Sequence, residues 1–470
     1  MLSTVNLNTD LSIMSIREMK TIFITIFHGH IARNLLRTKV VEFLLARPDT
    51  NLVLIVPDYK RDYYQKEFGS ERVIVEGIPI LKPNLDERLI RSFYYYFIDT
   101  ETVRIIQGEQ FWYTGQRFKY LFMRFFTKLF GNSRFLRNLI RYIDGKILPT
   151  NLGTLFDQYK PSVIFAGSLT SNEDVLFLKE AKRRDIKTVG MIRSWDTITV
   201  NKGIPRVYPD KILVHSEILK RDVIDYGDAN PETVEVVGLS HFDHYVGPPK
   251  MTREEFFRAV GGNPNKRTVF YPLNGVASYD FDAYIVGILE EMVRSNKALQ
   301  DVQLFVRRHP NEVKNINFCD PKISITNIPE TVDFPHNKLA EREFTPRDID
   351  ILAHALRYSD LIINTQSTTT IDAAAFDKPV INIDFDESPD KNFYKSVRRF
   401  YHYNHYQPIL KSGGVRVVGS KEELENTILD YLANPAKDRE GRARLLSEQN
   451  GGPLDGNASE CTAAAVLALL

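Results

Sequence analysis

Cysteine is nearly absent. Cys319 and Cys461 are the only two in 470 residues, and they form no Cys-x-x-Cys pair. That argues against a disulfide framework or a structural zinc site and makes a reducing cytoplasm the expected setting. No apolar run approaches 18 residues, so no membrane span is expected. Segment 1–19 lacks the basic start and continuous apolar core of a signal peptide and reads as a flexible extension, with the fold beginning near Lys20. Net charge is only +1, which leaves no global nucleic-acid footprint. Also missing are a dinucleotide GxGxxG, a P-loop, a GxSxG elbow and any internal repeat.

What remains is an ordinary globular composition, 43% hydrophobic and 26% charged, in a chain too long for one core. Apolar strand runs alternate with helical patterns from Thr21 onward, a βαβ rhythm that predicts parallel sheets covered by helices. Gly247-Pro248-Pro249 and the Gly261–Asn265 stretch interrupt it, and a second βαβ series starts at Thr268. The expected architecture is α/β, with two Rossmann-like doubly wound domains facing a central cleft. The first spans 20–246, with a helical aromatic and basic insert near 93–148. A linker covers 247–266, the second domain 267–440, and a tail with a final helix 441–470. Ligands in such sheets bind beyond the carboxyl ends of the strands.

Residues 359–384 are the most informative stretch. A buried strand over Leu361–Ile363 runs into Ser367, Thr368, Thr369 and Thr370, then a small-residue helix, then Pro379 and a further strand. Four hydroxyls in succession, with several free backbone N–H groups at a helix start, form an anion site, and one hydroxyl would suffice for a plain helix cap. Asp372, one turn in, could receive ribose hydroxyls. Arg307, Arg308 and His309 end another strand, and the arginines offer bidentate contacts to phosphate. Asn274-Gly275 follows a third strand, where glycine lets backbone approach a ligand.

The first half contributes His28 and His30 in its first strand–helix loop, where a near-neutral pKa suits general-base work. The loop Arg193-Ser194-Trp195-Asp196-Thr197 also follows a strand and is expected to face the same cleft. Asp196 is a rival base, Trp195 a stacking surface for a sugar, and the loop is assigned to the acceptor side. His241/His244 and His402/His405 are each three apart, but neither pair has a third ligand at fixed spacing, so no metal site is expected. Between Arg104 and Ile147, nine basic residues stand against two acidic ones, interleaved with aromatics. The plainer expectation is that these helices pack their aromatic side onto the domain, and the alternative is an anionic membrane surface.

Several motifs together resemble the GT-B glycosyltransferases of bacterial surface-polysaccharide assembly. These are Arg308-His309-Pro310, Ser359-Asp360, Ser367-Thr368-Thr369 with Asp372, Lys378-Pro379-Val380-Ile381, and Ser194-Trp195-Asp196 leading to Pro209-Asp210-Lys211. The segments Val237-Gly238, Phe242-Asp243 and Asp455–Ser459 add to them. The nearer group is similar to CDP-glycerol glycerophosphotransferases and capsule or lipopolysaccharide sugar transferases. The resemblance covers most of the chain and is strongest from about Lys187 to Asp386. It implies a nucleotide-linked donor in the second domain, with Arg308, His309, Ser367, Thr368 and Thr369 around its phosphates and Asp372 on its ribose. It also implies an acceptor, a glycan or lipid-linked glycan, in the first domain. Donor phosphates would be neutralised without an obligatory metal, and no cofactor is expected. Where the glycerophosphotransferase pattern has Asp-Tyr-Ser-Ser, this chain has Thr365-Gln366-Ser367-Thr368, which leans toward sugar transfer. Transfer of a polyol phosphate, a nucleotide-sugar 2-epimerase and a non-catalytic scaffold are the other readings.

Overall fold

The computed structural model describes residues 19–79, 85–94, 97–147, 152–200, 204–275, 279–310, 317–334 and 342–470, so the extension expected over 1–19 falls almost wholly outside them. Two parallel sheets carry the fold. The first contains β1 (Lys20–Thr25), β2 (Thr50–Pro57), β3 (Val73–Ile78), β4 (Val163–Ala166), β5 (Lys187–Met191), β6 (Lys211–Val214) and β7 (Val234–Val236), in the spatial order β3-β2-β1-β4-β5-β6-β7. The second contains β8 (Arg267–Pro272), β9 (Val302–Arg307) and β10 (Ser324–Asn327). After the small hairpin β11 (Thr331–Val332) and β12 (Glu343–Phe344), it continues with β13 (Leu361–Asn364), β14 (Val380–Ile383) and β15 (Arg416–Val418). Its order is β10-β9-β8-β13-β14-β15.

Strand sequences explain the layering. Leu52–Val56 and Leu361–Ile363 are unbroken apolar runs buried on both faces, as a sheet covered by helices requires. Each order reverses direction once, between β1 and β4 in the first sheet and between β8 and β13 in the second. Such switch points open a crevice at the carboxyl ends of the strands. The loops read as chemically interesting from sequence lie at these two places.

The chain crosses between the units more than once. The final helix, Ala458–Leu467, returns to the first sheet, where Ala463, Ala465 and Val466 join its core. Helix Arg253–Val260, within the segment read as a linker, inserts Phe256 and Phe257 beneath the second sheet beside Phe270 and Phe305. The hairpin strand β12 reaches the first unit, where Glu343 accepts from Lys60 at 2.7 Å and from the Tyr64 hydroxyl at 2.8 Å, all three buried.

The helical insert comprises helices Glu101–Thr114, Arg117–Phe130 and Arg134–Lys146. Its orientation corrects the plainer expectation. Phe118, Phe125 and Phe135 point away from the domain, 91%, 62% and 75% exposed. The inward face instead carries arginine. Arg137 grips Asp228 with two bonds of 2.6 Å and Arg141 adds a third at 2.9 Å, while Asp144 accepts from Lys179 and Arg206. Buried carboxylates require cationic partners, and meeting that need turns the aromatic stripe outward.

Candidate functional site

The two switch points face each other across a cavity of ≈480 Å³. From the second sheet, the turn after β13 presents Ser367, Thr368 and Thr369 to it, and the end of β9 presents Arg307, Arg308 and His309. From the first unit come His30, the loop Arg193-Ser194-Trp195-Asp196, and two residues that sequence reasoning had not assigned to the cleft, Arg33 and Tyr245.

The hydroxyl turn is tighter than expected. Ser367 Oγ accepts from the Thr369 N–H and donates to Thr369 Oγ1, both at 3.2 Å. The N–H groups of Thr370, Ile371 and Asp372 bond back to Ser367 and Thr368 carbonyls at 2.9–3.2 Å. The expected row of free backbone donors is therefore largely spent inside the turn, because the helix Thr369–Ala375 begins at once. Thr370 points into the core and donates to Asn364 Oδ1 at 3.1 Å. Three hydroxyls remain at the cavity, with the arginine loop opposite.

Arg307 is buried and already paired. It donates to Asp348 at 2.8 Å and to Asn327. Its role is to fix the end of β9, and Arg308 and His309 follow it along the cavity wall. His309 packs over Gly275, whose φ of +103° and lack of a side chain allow the imidazole to lie against it. Asn274 does not line the cavity. Its amide donates to Asp282 at 2.7 Å and its oxygen accepts from Thr365, so it ties the loop after β8 to the turn after β13. Asp282 also accepts the Asn274 N–H and the Tyr271 hydroxyl, each at 3.0 Å, and burial pushes its carboxyl up to about 7.

Asp372 is buried at the cavity wall, accepts the Tyr245 hydroxyl at 2.8 Å, and is pushed up to about 6 by that burial, against the opposing pull of Arg33. Tyr245 lies 127 residues away, at the end of the turn Ser240–Tyr245. Arg33 belongs to a widened turn, Ala32–Leu36, closed by the Arg37 N–H on the Ala32 carbonyl, which carries Arg33 and Asn34 to the cavity. The signal in the sequence was a cation three residues after His30. For Tyr245 the sequence offered none.

The two histidines of the first loop part company. His28 supplies the carbonyl that accepts the Ile31 and Ala32 N–H groups and does not line the cavity. His30 does. Crowding by the cleft walls, then Arg33, Arg193, His28 and His309, lower its pKa to about 3, although the ring stays open to cleft water, which tempers the burial part of that push. Between them, Gly29 meets the Arg342 carbonyl so closely that any side chain would collide with it. Trp195 donates to Thr368 Oγ1 at 3.4 Å and stands edge-on to His405, bridging the walls. His405 is buried between Gln366 at 2.9 Å and Thr199 at 3.0 Å, while His402 lies at the surface against Phe393. His241 is buried at the cleft and His244 turns outward to the Arg37 carbonyl. Neither histidine pair converges, and among the described residues no cluster of three metal-ligating side chains occurs.

The chain matches no family model and no curated protein sequence. Its likeness to solved structures is end to end. The UDP-GlcNAc 2-epimerase from Neisseria meningitidis, bound to UDP-GlcNAc, aligns over 96% of this chain and 100% of its own at 12% identity, with a TM-score of 0.54. A further UDP-N-acetylglucosamine 2-epimerase aligns over 94% of each chain at 13% identity and a TM-score of 0.52. The glycotransferase of kitacinnamycin covers 96% and 99% at 11% identity and 0.50. The fold is GT-B. At such identities the likeness establishes architecture alone.

A second cavity of ≈450 Å³ lies at the carboxyl end of the helix Thr369–Ala375. Its Arg439 is held by Asp377 at 2.6 Å and its Arg357 by the Tyr245 and Gly247 carbonyls, and a helix carboxyl end repels anions.

Proposed function

We propose that the protein is a glycosyltransferase of surface-polysaccharide assembly, moving a sugar from a nucleotide-activated donor to a glycan or lipid-linked acceptor. The nearer relationship is to the CDP-glycerol glycerophosphotransferase and capsule sugar transferase group. One observation carries the reading. The switch points of two parallel sheets meet at a single cavity, one wall lined by Arg308, His309, Ser367, Thr368 and Thr369, the other by His30, Arg33 and Asp196. The first set would hold the donor diphosphate and neutralise it as it leaves, without an obligatory metal. Gly275 leaves room for His309, Asn274 ties its loop to the hydroxyl turn, and Asp372 would meet the ribose.

His30 would take the acceptor proton in an inverting reaction. Alone, with Arg33 and Arg193 beside it, it is neutral at pH 7, free to accept but weakly basic. A bound diphosphate supplies negative charge against those cations and raises its basicity, so the base would gain strength when the donor is in place. Asp196 is the alternative base. Water exclusion by closure of the two units would suppress donor hydrolysis.

A second reading, a non-hydrolysing nucleotide-sugar 2-epimerase, is favoured by the likeness to the epimerase bound to UDP-GlcNAc. Incubation with a panel of nucleotide sugars, with and without glycan acceptor, separates the two. Donor consumed only when acceptor is present supports the transferase. Interconversion at C2 without acceptor replaces it with the epimerase. Consumption of CDP-glycerol instead assigns polyol-phosphate transfer, and tight nucleotide binding without turnover leaves a scaffold.

A further inference from the structure

Helices Arg117–Phe130 and Arg134–Lys146 follow one another with three residues between them, and each is two-faced. At about 100° per residue, Phe118, Phe122 and Phe125 fall on one stripe of the first helix, and Phe135, Leu139 and Tyr142 on one stripe of the second. All six are exposed, whereas the other aromatics among the described residues are mostly buried or half-buried. Single exposed apolar residues need no explanation, but two successive helices with stripes of this kind do.

We propose that this pair of helices docks on an anionic phospholipid bilayer. The charge pattern selects that occupant. On the first helix Arg117 and Lys128 lie about 90° to one side of the apolar stripe and Lys119 about 100° to the other, so cations flank it on both edges. On the second, Arg134 stands at the edge and Lys146 within reach of the stripe. All five are exposed, and the only acidic residue from 117 to 146, Asp144, is buried in its pairing with Lys179 and Arg206. An apolar stripe with a wholly cationic rim fits the headgroup region of an anionic leaflet, where aromatic side chains enter the acyl boundary and Lys and Arg meet phosphate. Among the described residues no helix is long and apolar enough to cross a membrane, so the contact is interfacial. A second copy of the chain fits poorly, because a two-fold interface would set this cationic rim against itself.

The anchoring is rigid on the protein side. Arg137 and Arg141 fasten the second helix to Asp228 from its inner face, and the first packs against helix Glu101–Thr114 through Gln107 and Thr127 at 2.9 Å. Helix Glu101–Thr114 in turn touches the second unit, where Thr102 and Asn404 exchange bonds of 3.0 and 2.8 Å. A bilayer on the outer faces would thus hold the whole cleft in a fixed attitude to the membrane. The inference stands apart from the transferase reading.

The test is flotation of the full chain with vesicles of phosphatidylcholine mixed with phosphatidylglycerol, against phosphatidylcholine alone. The expected result is at least tenfold more binding to the anionic vesicles, on the order that several basic contacts confer, falling as salt rises. Phe118→Glu with Phe125→Glu removes it, as does Arg117→Glu with Lys128→Glu, and both pairs leave the melting temperature unchanged because these side chains are exposed. Equal binding to both vesicle types, no binding, or binding that survives the phenylalanine variants overturns the proposal. So does a dimer in size-exclusion chromatography that Phe118→Glu disperses while vesicles fail to bind.

Discussion

In the first sheet, Asp174 sits wholly buried behind the switch point. It accepts the Thr25 hydroxyl from the end of β1, the Ser171 hydroxyl, and the Ser168 N–H from the loop after β4 at 3.3 Å. In the second sheet, Asp282 occupies the matching place, receiving Tyr271 from β8 and the backbone and side chain of Asn274 from the loop beyond it. Burial raises both carboxyls to about 7. The same device fastens two loops that carry different chemistry. The second wall turns three hydroxyls, an arginine and a histidine to the cleft from two neighbouring loops. The first wall turns a depressed histidine and two arginines from separate loops. On the proposed reading, one wall would receive an anion and the other would be tuned by it.

That contrast can be broken at graded cost. The largest effect falls on the tuned wall. His30→Ala is expected to lower kcat by about 10²–10⁴ with little change in donor affinity, while His28→Ala leaves both near wild type, as steady-state kinetics with a matched acceptor would show. Equal losses from the two would refute the assignment. On the receiving wall, Arg308→Ala removes a charged donor to phosphate and should weaken nucleotide diphosphate binding by about 1.5–3 kcal/mol, read by calorimetry.

The fastening itself is testable by pH. Asp174 has its folded pKa raised to about 7 from an ordinary 3.8, so the folded chain binds the extra proton between those values. Its contribution is present at acidic pH and lost as pH rises through about 7. Asp174→Asn removes the charge and keeps the Oδ1 acceptor for Thr25 and Ser168, with the Ser171 bond reversed. Relative to wild type, the variant should gain about 2 kcal/mol between pH 5 and pH 7, measured by denaturant unfolding at each pH. A constant difference across that range would contradict the raised pKa. The smallest effect belongs to the clasp across the cleft. Tyr245→Phe deletes the hydroxyl that lowers the Asp372 pKa, which should then climb above about 6, with a loss of about 1 kcal/mol in stability.

The receiving wall was largely legible in sequence because it is local. Strand, hydroxyl turn, helix and proline follow within Leu361–Pro379, and Arg308-His309 end their own strand. What escaped was how far the turn satisfies its own amides, since Thr369 and Thr370 look alike in sequence yet face opposite ways. The tuned wall was half legible. His30 was visible, but Arg33 depends on a widened turn that no period reveals, and Tyr245 meets Asp372 across 127 residues. The amphipathic insert was readable as such. Which face points outward was decided by Asp228, 91 residues from Arg137, and so by tertiary pairing rather than helical pattern.

The most direct measurement is a thermal-shift titration of the full chain with CMP, CDP, UDP, GDP and dTDP in the presence of a chelator, run beside Arg308→Ala and Ser367→Ala. At about 100 times its dissociation constant, a bound nucleotide adds about 2.7 kcal/mol. The account predicts that one diphosphate stabilises the wild type without metal and that both variants lose the effect. A chain that no nucleotide stabilises, or variants that respond as the wild type does, would contradict the placement of a donor site on the second wall.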